Sequence, residues 1–207
     1  MMSGQEGLEL KPVLYNGTYA IMKAYVKPYA SCRYTHPAVE AAAHLRALAP
    51  LDEVEEISVR TYALAVSGHD HIEIKGSASA KMSIPYALAA GFIYGKAGLQ
   101  EFSEEAVRGE EILALTKKVR VEADEEMSKA FPAIQAAEVT IRLKDGKCIS
   151  ERVDFPKGEP ENPLSEEEFR ERFDGLMAYA GQKKADKVYE MTRRSETPVA
   201  EILGLLI

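Results

Sequence analysis

Alternation of apolar and polar residues is clearest in two parts of the chain. Residues 54–62 alternate strictly, which predicts a strand with one buried face. Residues 138–143 alternate in the same way, Asp145 and Gly146 supply a two-residue turn, and residues 148–155 return. Because an isolated hairpin is only marginally stable, we expect these strands to join one mostly antiparallel sheet.

Helical patterns accompany the strands. Residues 36–48 are rich in alanine, with a proline near the start and another just past the end. Residues 83–94 are mostly small and apolar, which predicts a helix with Pro85 in its first turn and Gly95 directly after its end. Ser103, which is followed by the residues EEAV, predicts the start of a further helix.

Three segments have weaker patterns. Residues 18–29 are rich in aromatic and β-branched residues, which predicts an extended segment, and residues 71–75 could form a short second strand. Residues 1–17 have no periodicity and are predicted to be a flexible lead-in. Taken together, residues 18–156 predict an α+β domain, a mostly antiparallel sheet with helices.

A C-terminal helical tail follows a change in composition. Residues 156–164 are rich in proline and lack periodicity, which predicts a domain boundary. Ser165 and Glu168 have the spacing of a capping box. Because short helices are marginal in isolation, we expect the tail to dock on the α+β domain, on a second copy, or on a domain absent from the chain. The tail, residues 163–207, is predicted to contain three helices: 165–180, 184–194 and one that Thr197 caps.

Charge and composition exclude some classes of partner. The chain has 207 residues and a formal net charge of -7, whereas non-specific nucleic-acid binding needs a basic face, so we expect no nucleic-acid partner. No apolar run approaches the length of a membrane span, and no signal-peptide core is present, so we expect no membrane partner and a cytoplasmic location. Cys32 and Cys148 form no zinc pattern; reduced thiols are the simpler interpretation, with a disulfide left open.

The densest group of polar side chains is KPYASCRYTH, residues 27–36, directly before the first predicted helix. A helix N-terminus offers unpaired N–H groups and a partial positive charge; there Arg33 can grip a carboxylate with two N–H groups, and Lys27 adds a charge. His36 has an ordinary pKa suited to proton transfer near neutrality. The pattern predicts an anion site and equally allows a polar loop that caps the helix through Thr35 and exposes its cations.

Two further features carry less information. Lys81 lies among small residues before an apolar helix, and is either a functional buried lysine or, as the spacing favours, a surface charge. His69 and His71 could begin a metal site, but no third ligand falls at a recognisable spacing, which favours a polar turn.

Three segments resemble, in the same order, segments of the MmgE/PrpD family of 2-methylcitrate dehydratases and cis-aconitate decarboxylases. Residues 27–41, KPYASCRYTHPAVEA, are similar to a family signature. Residues 79–89, SAKMSIPYALA, resemble a second segment, with Met82 in place of the more usual phenylalanine. Residues 153–173, VDFPKGEPENPLSEEEFRERF, look like the passage out of the family's small domain. The chain thus resembles the C-terminal half of such an enzyme.

The resemblance implies a two-part fold and a class of reaction. The family has a large helical domain, built from the N-terminal half and the final helices, and a smaller α+β lid domain between them. Its members dehydrate 2-methylcitrate or citrate, decarboxylate cis-aconitate or epimerise iminodisuccinate. Each reaction removes a proton next to a carboxylate, without a metal. The resemblance therefore implies a small polycarboxylate substrate and no metal or cofactor.

The resemblance also implies roles for individual residues. Lys27 and His36 would be catalytic, while Arg33, Cys32 and Lys81 would bind substrate. Cys32 stands where some members carry histidine, which leaves the reaction type open. The family's other catalytic residues come from its N-terminal helical half, so we expect this chain to need a separate N-terminal half chain or to form a homodimer. The alternative is a non-catalytic polycarboxylate-binding or assembly module.

Overall fold

A four-stranded mixed sheet is the centre of the computed structural model, which describes residues 19–194 and 196–206. The strands are β1 Val54–Thr61, β2 Val119–Ala123, β3 Ala137–Leu143 and β4 Cys148–Val153. Their order in the sheet is β2-β1-β3-β4, and β1 pairs with β2 in parallel, whereas the β1–β3 and β3–β4 pairs are antiparallel. The predicted α+β fold is therefore confirmed.

Side-chain burial follows the predicted alternation in β1. Ile57, Val59 and Thr61 are at most 1% exposed, because one face of β1 lies against the helical layer. The hairpin of β3 and β4 also forms where expected, with Gly146 at a φ of 86° in its turn. The flexible lead-in predicted for residues 1–17 lies outside the described residues.

The pattern missed β2 and wrongly predicted a strand at residues 71–75. Only Val119 of β2 is buried, so this edge strand carries almost no alternation, and it gains its place by pairing with Ile57 of β1. In residues 71–75, side chains instead hold the backbone: the Ser83 hydroxyl donates to the His71 carbonyl at 2.6 Å, and the Ser79 hydroxyl donates to the Glu73 carbonyl. The carbonyl groups of His71 and Glu73 thus find partners without a sheet.

Two helices form most of the layer that covers the sheet. The first, α1 (His36–Leu45), packs on β3, on β4 and on α4 (Ile84–Tyr94). The second, α4, is buried over most of its length, and its Gly91 permits the close approach: a Cβ there would lie 2.7 Å from the Val39 carbonyl oxygen of α1. The helices of this part are α1 His36–Leu45, α2 Ala63–Val66, α3 Ser77–Lys81, α4 Ile84–Tyr94, α5 Glu110–Thr116 and α6 Glu125–Ala130.

Helix ends agree with the sequence signals in some places and not in others. The Ser83 hydroxyl caps α4 by accepting the Tyr86 N–H, and Gly95 ends it at a φ of 69°. The helix predicted after Ser103 is wrong, because the serine caps a 3-10 turn, Ala106–Arg108, and α5 begins only afterwards. The segment predicted to be extended from residue 18 opens instead with a 3-10 turn, Ala20–Lys23.

Three helices follow the proline-rich residues 156–164, which are called the connector below: α7 Glu166–Tyr179, α8 Ala185–Thr192 and α9 Val199–Leu206. The predicted capping box is present at the start of α7, between Ser165 and Glu168. Phe173 of α7 contacts Tyr189 of α8 edge to face, with ring centroids 5.2 Å apart. The division of the chain into units at 18–156 and 163–207 stays a prediction.

A close backbone contact joins the connector to the segment before α1. The Val26 N–H donates to the Gly158 carbonyl at 2.8 Å, and Gly158 has a φ of 91°. A Cβ at residue 158 would collide with the Val26 carbonyl oxygen. Glycine is therefore required at this position for both its backbone conformation and the space available.

Replacing Gly158 with alanine should destabilise the chain more than the same change at Gly146. Both glycines have positive φ, so both substitutions introduce strain of about 1–2 kcal/mol. Only Gly158 also introduces a collision, since nothing lies within 4 Å of a Cβ at Gly146, and overpacking usually costs about 1–3 kcal/mol more. Urea unfolding followed by circular dichroism measures the difference. Equal losses would show that the Val26 contact does not form in solution.

Candidate functional site

Lys27 and His36 meet at one backbone oxygen. The Lys27 ammonium group donates to the Ser31 carbonyl at 2.8 Å, and Nε2 of His36 lies 3.4 Å from the same oxygen. Lys27 is largely exposed, whereas His36 is 1% exposed at the start of α1. The structure thus brings together an accessible cation and a buried imidazole.

Hydrogen bonds within residues 27–36, which are called the loop below, fix the position of the Ser31 carbonyl oxygen. The hydroxyls of Ser31 and Thr35 lie 2.7 Å apart, and the Thr35 hydroxyl donates to the Cys32 carbonyl at 2.9 Å. The Cys32 N–H donates to the Lys81 carbonyl at 2.8 Å, which ties the loop to the end of α3. Thr35 makes no side-chain cap on α1 among the described contacts, because its hydroxyl is used within the loop.

Arg33 turns towards the connector. Its Nε donates to Oε1 of Glu159 at 2.7 Å, and its Nη2 lies 2.5 Å from the same oxygen. The guanidinium group lies 5.6 Å from the centre of the Tyr25 ring, and the side chain is only 10% exposed. Its third nitrogen, Nη1, is buried without a hydrogen-bond partner among the described residues. Arg33 is therefore not the exposed cation of a simple polar loop.

His36 is uncharged at neutral pH. Burial, and then the nearby charges of Arg33 and Lys27, lower its pKa from the ordinary value of 6.5 to about 3. Its ring contacts Tyr29 edge to face at 5.1 Å, and its Nδ1 is buried with no hydrogen-bond partner in the described part of the chain. The ordinary pKa of histidine therefore does not apply to His36 in this conformation, because its burial and its charged neighbours lower it.

The two remaining predicted site residues contact each other, Cys32 within the loop and Lys81 beside it. Lys81 ends α3 and is half-buried, and its backbone carbonyl holds Cys32. Cys32 is half-buried and Cys148 is exposed, and both are free thiols, so the disulfide left open by the sequence is not formed.

Glu40 and Glu159 are polar residues of the site that the sequence analysis missed. Glu40 lies one turn after His36 on α1 and is 7% exposed. It accepts the Lys157 backbone N–H at 2.5 Å and the Asn162 side-chain amide at 3.3 Å, so it binds the connector to α1. The four-residue spacing of His36 and Glu40 could have suggested a shared helix face. Glu159 carries no local signal, since its partner is 126 residues away.

His69 lies in a second buried polar corner beside the loop. Its Nδ1 is 3.0 Å from the Ser67 carbonyl, and its ring meets Tyr34 edge to face at 5.2 Å. Its Nε2 is buried and has no hydrogen-bond partner in the described residues. His71 points elsewhere and contacts Ser79. Among the residues that the structure describes, no three His, Cys, Asp or Glu side chains are grouped as a metal site.

A groove of about 290 Å³ opens beside the Arg33–Glu159 pair. It has cations and carboxylates on its walls, so it suits a polar rather than an apolar ligand. The charged and amide residues that line it are Lys23, Arg33, Gln135, Asp154, Glu159 and Glu161.

Comparison with known sequences places this arrangement in a family. The sequence model of the MmgE/PrpD C-terminal domain matches residues 29–197, which is most of the chain. The chain belongs to the MmgE/PrpD family. The matched region contains residues 29–36 of the loop, α1, the sheet and the connector, whereas Lys27 lies two residues before it. The resemblance noted from the three sequence segments is thereby confirmed.

One curated relative is the cis-aconitate decarboxylase of Mus musculus. It is 30% identical over 147 residues, which cover 67% of this chain but 30% of the relative. The chain thus corresponds to about a third of the length of that enzyme.

Within the described residues, the helices are all too short or too polar to cross a membrane.

The buried His36 makes the stability of this MmgE/PrpD chain depend on pH. Its pKa is lower in the folded state, about 3, than the ordinary 6.5, so the unfolded chain binds more protons between these values. Stability should be full above pH 6.5 and fall as the pH falls towards 3, by up to roughly 1.4 kcal/mol per pH unit.

Urea unfolding of the wild type and His36→Gln between pH 4 and 7.5 measures this effect. The His36→Gln variant should show a shallower dependence than the wild type. His44→Gln, on the same helix but with a side chain 56% exposed, is the matched control and should keep the steep dependence. Parallel profiles for the wild type and His36→Gln would contradict the burial of a neutral imidazole.

Proposed function

We propose that this chain is the C-terminal part of an MmgE/PrpD enzyme that acts on a small di- or tricarboxylate. The observation that carries the proposal is the convergence of Lys27 and His36 on the Ser31 carbonyl, with Arg33 in the same loop. Dehydration of 2-methylcitrate or citrate is the first candidate reaction. Decarboxylation of cis-aconitate, the reaction named for the mouse relative, and epimerisation of iminodisuccinate are the others.

The proposed roles follow from charge. Lys27 and Arg33 bind substrate carboxylates, and Cys32 and Lys81 complete the edge of the site. Burial lowers the pKa of His36 most, and the cations Arg33 and Lys27, which lower it further, are the groups that a carboxylate would neutralise. Substrate binding should therefore raise the pKa of His36 towards its ordinary value and make the imidazole a better proton acceptor only when substrate is present. Lys27 and His36 are the proposed catalytic pair.

A helical N-terminal half, supplied by a separate chain, is the proposed partner, with a homodimer as the alternative. Two apolar surfaces support such a partner. Around the 3-10 turn, Tyr19, Ile21 and Met22 are 66–75% exposed, and Val199 and Leu203 on α9 are 68% and 52% exposed. A protein normally covers apolar side chains grouped in this way. The chain also represents only 30% of the mouse relative, whose remaining length would provide the cover.

A non-catalytic polycarboxylate-binding or assembly module is the second candidate. The low pKa of His36 favours it, since an imidazole with a pKa of about 3 accepts a proton poorly at neutral pH. In this version, the loop binds an anion and no reaction follows.

Turnover by the chain mixed with the N-terminal helical half of a family member tests the first proposal. Lys27→Ala and His36→Gln should each lower the turnover of a citrate-class substrate by about a hundredfold or more, as expected for lost charge stabilisation or proton transfer. Lys129→Ala is the matched control, because this exposed lysine on α6 pairs only with Glu125 and Glu126 in the described contacts, and it should leave turnover unchanged.

The outcomes separate the candidates. Unchanged turnover in both site variants would refute the assigned roles. Citrate binding in calorimetry without turnover, even with the helical half supplied, would favour the non-catalytic module.

A further inference from the structure

The contact between Arg33 and Glu159 has the chemistry of a bound substrate carboxylate. Nε and Nη2 of Arg33 approach Oε1 of Glu159 at 2.7 and 2.5 Å, the side-on arrangement in which arginine holds carboxylates. Both nitrogens use one oxygen, and Nη1 is left buried without a partner among the described residues. The guanidinium group is thus occupied by a carboxylate but not saturated by it.

The backbone that carries Glu159 is fixed independently of this contact. Glu40 accepts the Lys157 N–H at 2.5 Å, and the Val26 N–H donates to the Gly158 carbonyl at 2.8 Å. Within the turn, the Asn162 N–H donates to the Glu159 carbonyl at 3.0 Å. Since these bonds hold the turn, Glu159 is not needed to anchor it. Rotation of the side chain alone is enough to break its contact with Arg33.

The groove beside the pair offers room for such a rotation. It measures about 290 Å³ and includes both Arg33 and Glu159 in its lining. Asp154 and Glu161 also line it, so an anion that entered with Glu159 in place would meet three carboxylates. An incoming carboxylate that replaces Glu159 on Arg33 takes the place of one of these carboxylates at the guanidinium group, where it meets a cation. The exchange also keeps the buried guanidinium group paired, which avoids a large desolvation penalty.

We propose that Glu159 is a built-in competitor, a carboxylate that occupies Arg33 in the empty site and rotates into the groove when a substrate carboxylate takes its place. This inference rests on the proposed function, because it requires that Arg33 bind the substrate. It makes Glu159 a residue that sets affinity and selectivity: a ligand must offer Arg33 a better contact than Glu159 does. A substrate carboxylate can do so by giving Nε and Nη2 one oxygen each, whereas Glu159 presents a single oxygen to both.

Calorimetric titration of citrate into the full chain tests this proposal in the wild type and three variants. Glu159→Gln keeps the size of the side chain but removes the competing charge, and should bind citrate about tenfold more tightly than the wild type, the gain expected when one charged competitor is lost. Glu161→Gln is the matched control: it removes the same charge from the same groove without a described contact to Arg33, and should bind like the wild type. Circular dichroism establishes that each variant is folded.

Arg33→Lys in the Glu159→Gln background should abolish the gain, since lysine lacks the planar fork. Equal citrate affinity in the wild type, Glu159→Gln and Glu161→Gln would overturn the proposal and leave carboxylate binding intact. Equal gains in both single variants would also overturn it, because general charge would then explain the effect. Failure of all variants to bind citrate would refute the competitor and the proposed substrate class together. If Glu159→Gln binds citrate more tightly but the wild-type chain mixed with the helical half shows no turnover, the role of Glu159 as a competitor is upheld and the proposed enzymatic function is refuted.

Discussion

The carbonyl oxygen of Ser31 receives the Lys27 ammonium group at 2.8 Å and lies 3.4 Å from the His36 ring, and the proposed site depends on this shared contact. A lysine on its flexible side chain would otherwise explore much solvent, and ordering it costs entropy. The Ser31 carbonyl oxygen can hold the lysine without further loss of backbone entropy, because the hydrogen bond between the Ser31 and Thr35 hydroxyls already orders the loop around it. Backbone geometry, rather than direct contact between the two side chains, therefore sets the spacing of the cation and the imidazole.

Burial gives the two ends of this contact different electrostatic properties. Lys27 remains at the surface and keeps access to ligands, whereas His36 is enclosed between Tyr29 and the loop and is neutral. Protonation of this buried imidazole beside two cations is unfavourable, because it would add a third positive charge without a compensating negative one. An anionic ligand changes this balance. In the proposed function, the charge state of the site is thus a property of the loop together with its ligand.

Local signals were enough to predict the secondary structure that short-range interactions determine. The hairpin of β3 and β4, the capping box of Ser165 and Glu168, and α4 between Ser83 and Gly95 all follow from residues close in sequence. The edge strand β2 could not be found, because its place depends on pairing with β1 rather than on its own pattern. A helix start and a strand were likewise predicted where side-chain hydrogen bonds impose turns.

The candidate site was predictable only in part, for the same reason. The cluster of Lys27, Arg33 and His36 stands out by its density in the sequence. Its acidic partners do not, since Glu159 reaches Arg33 across 126 positions and Glu40 reaches the connector across 117. The neutrality of His36 is likewise a product of tertiary burial, to which a residue-by-residue analysis has no access.

The first helix of the tail contributes directly to the loop. Nε of Arg172 on α7 donates to the Lys27 carbonyl at 2.6 Å, and the Lys157 ammonium group lies 3.2 Å from Glu168 at the start of that helix. An engineered fragment that stopped at the proline-rich connector would keep the sheet and α1 but would release the backbone of Lys27 from one side. Cutting the chain at the connector would therefore separate Lys27, the proposed catalytic lysine, from part of its support, so minimal versions of this protein should retain α7.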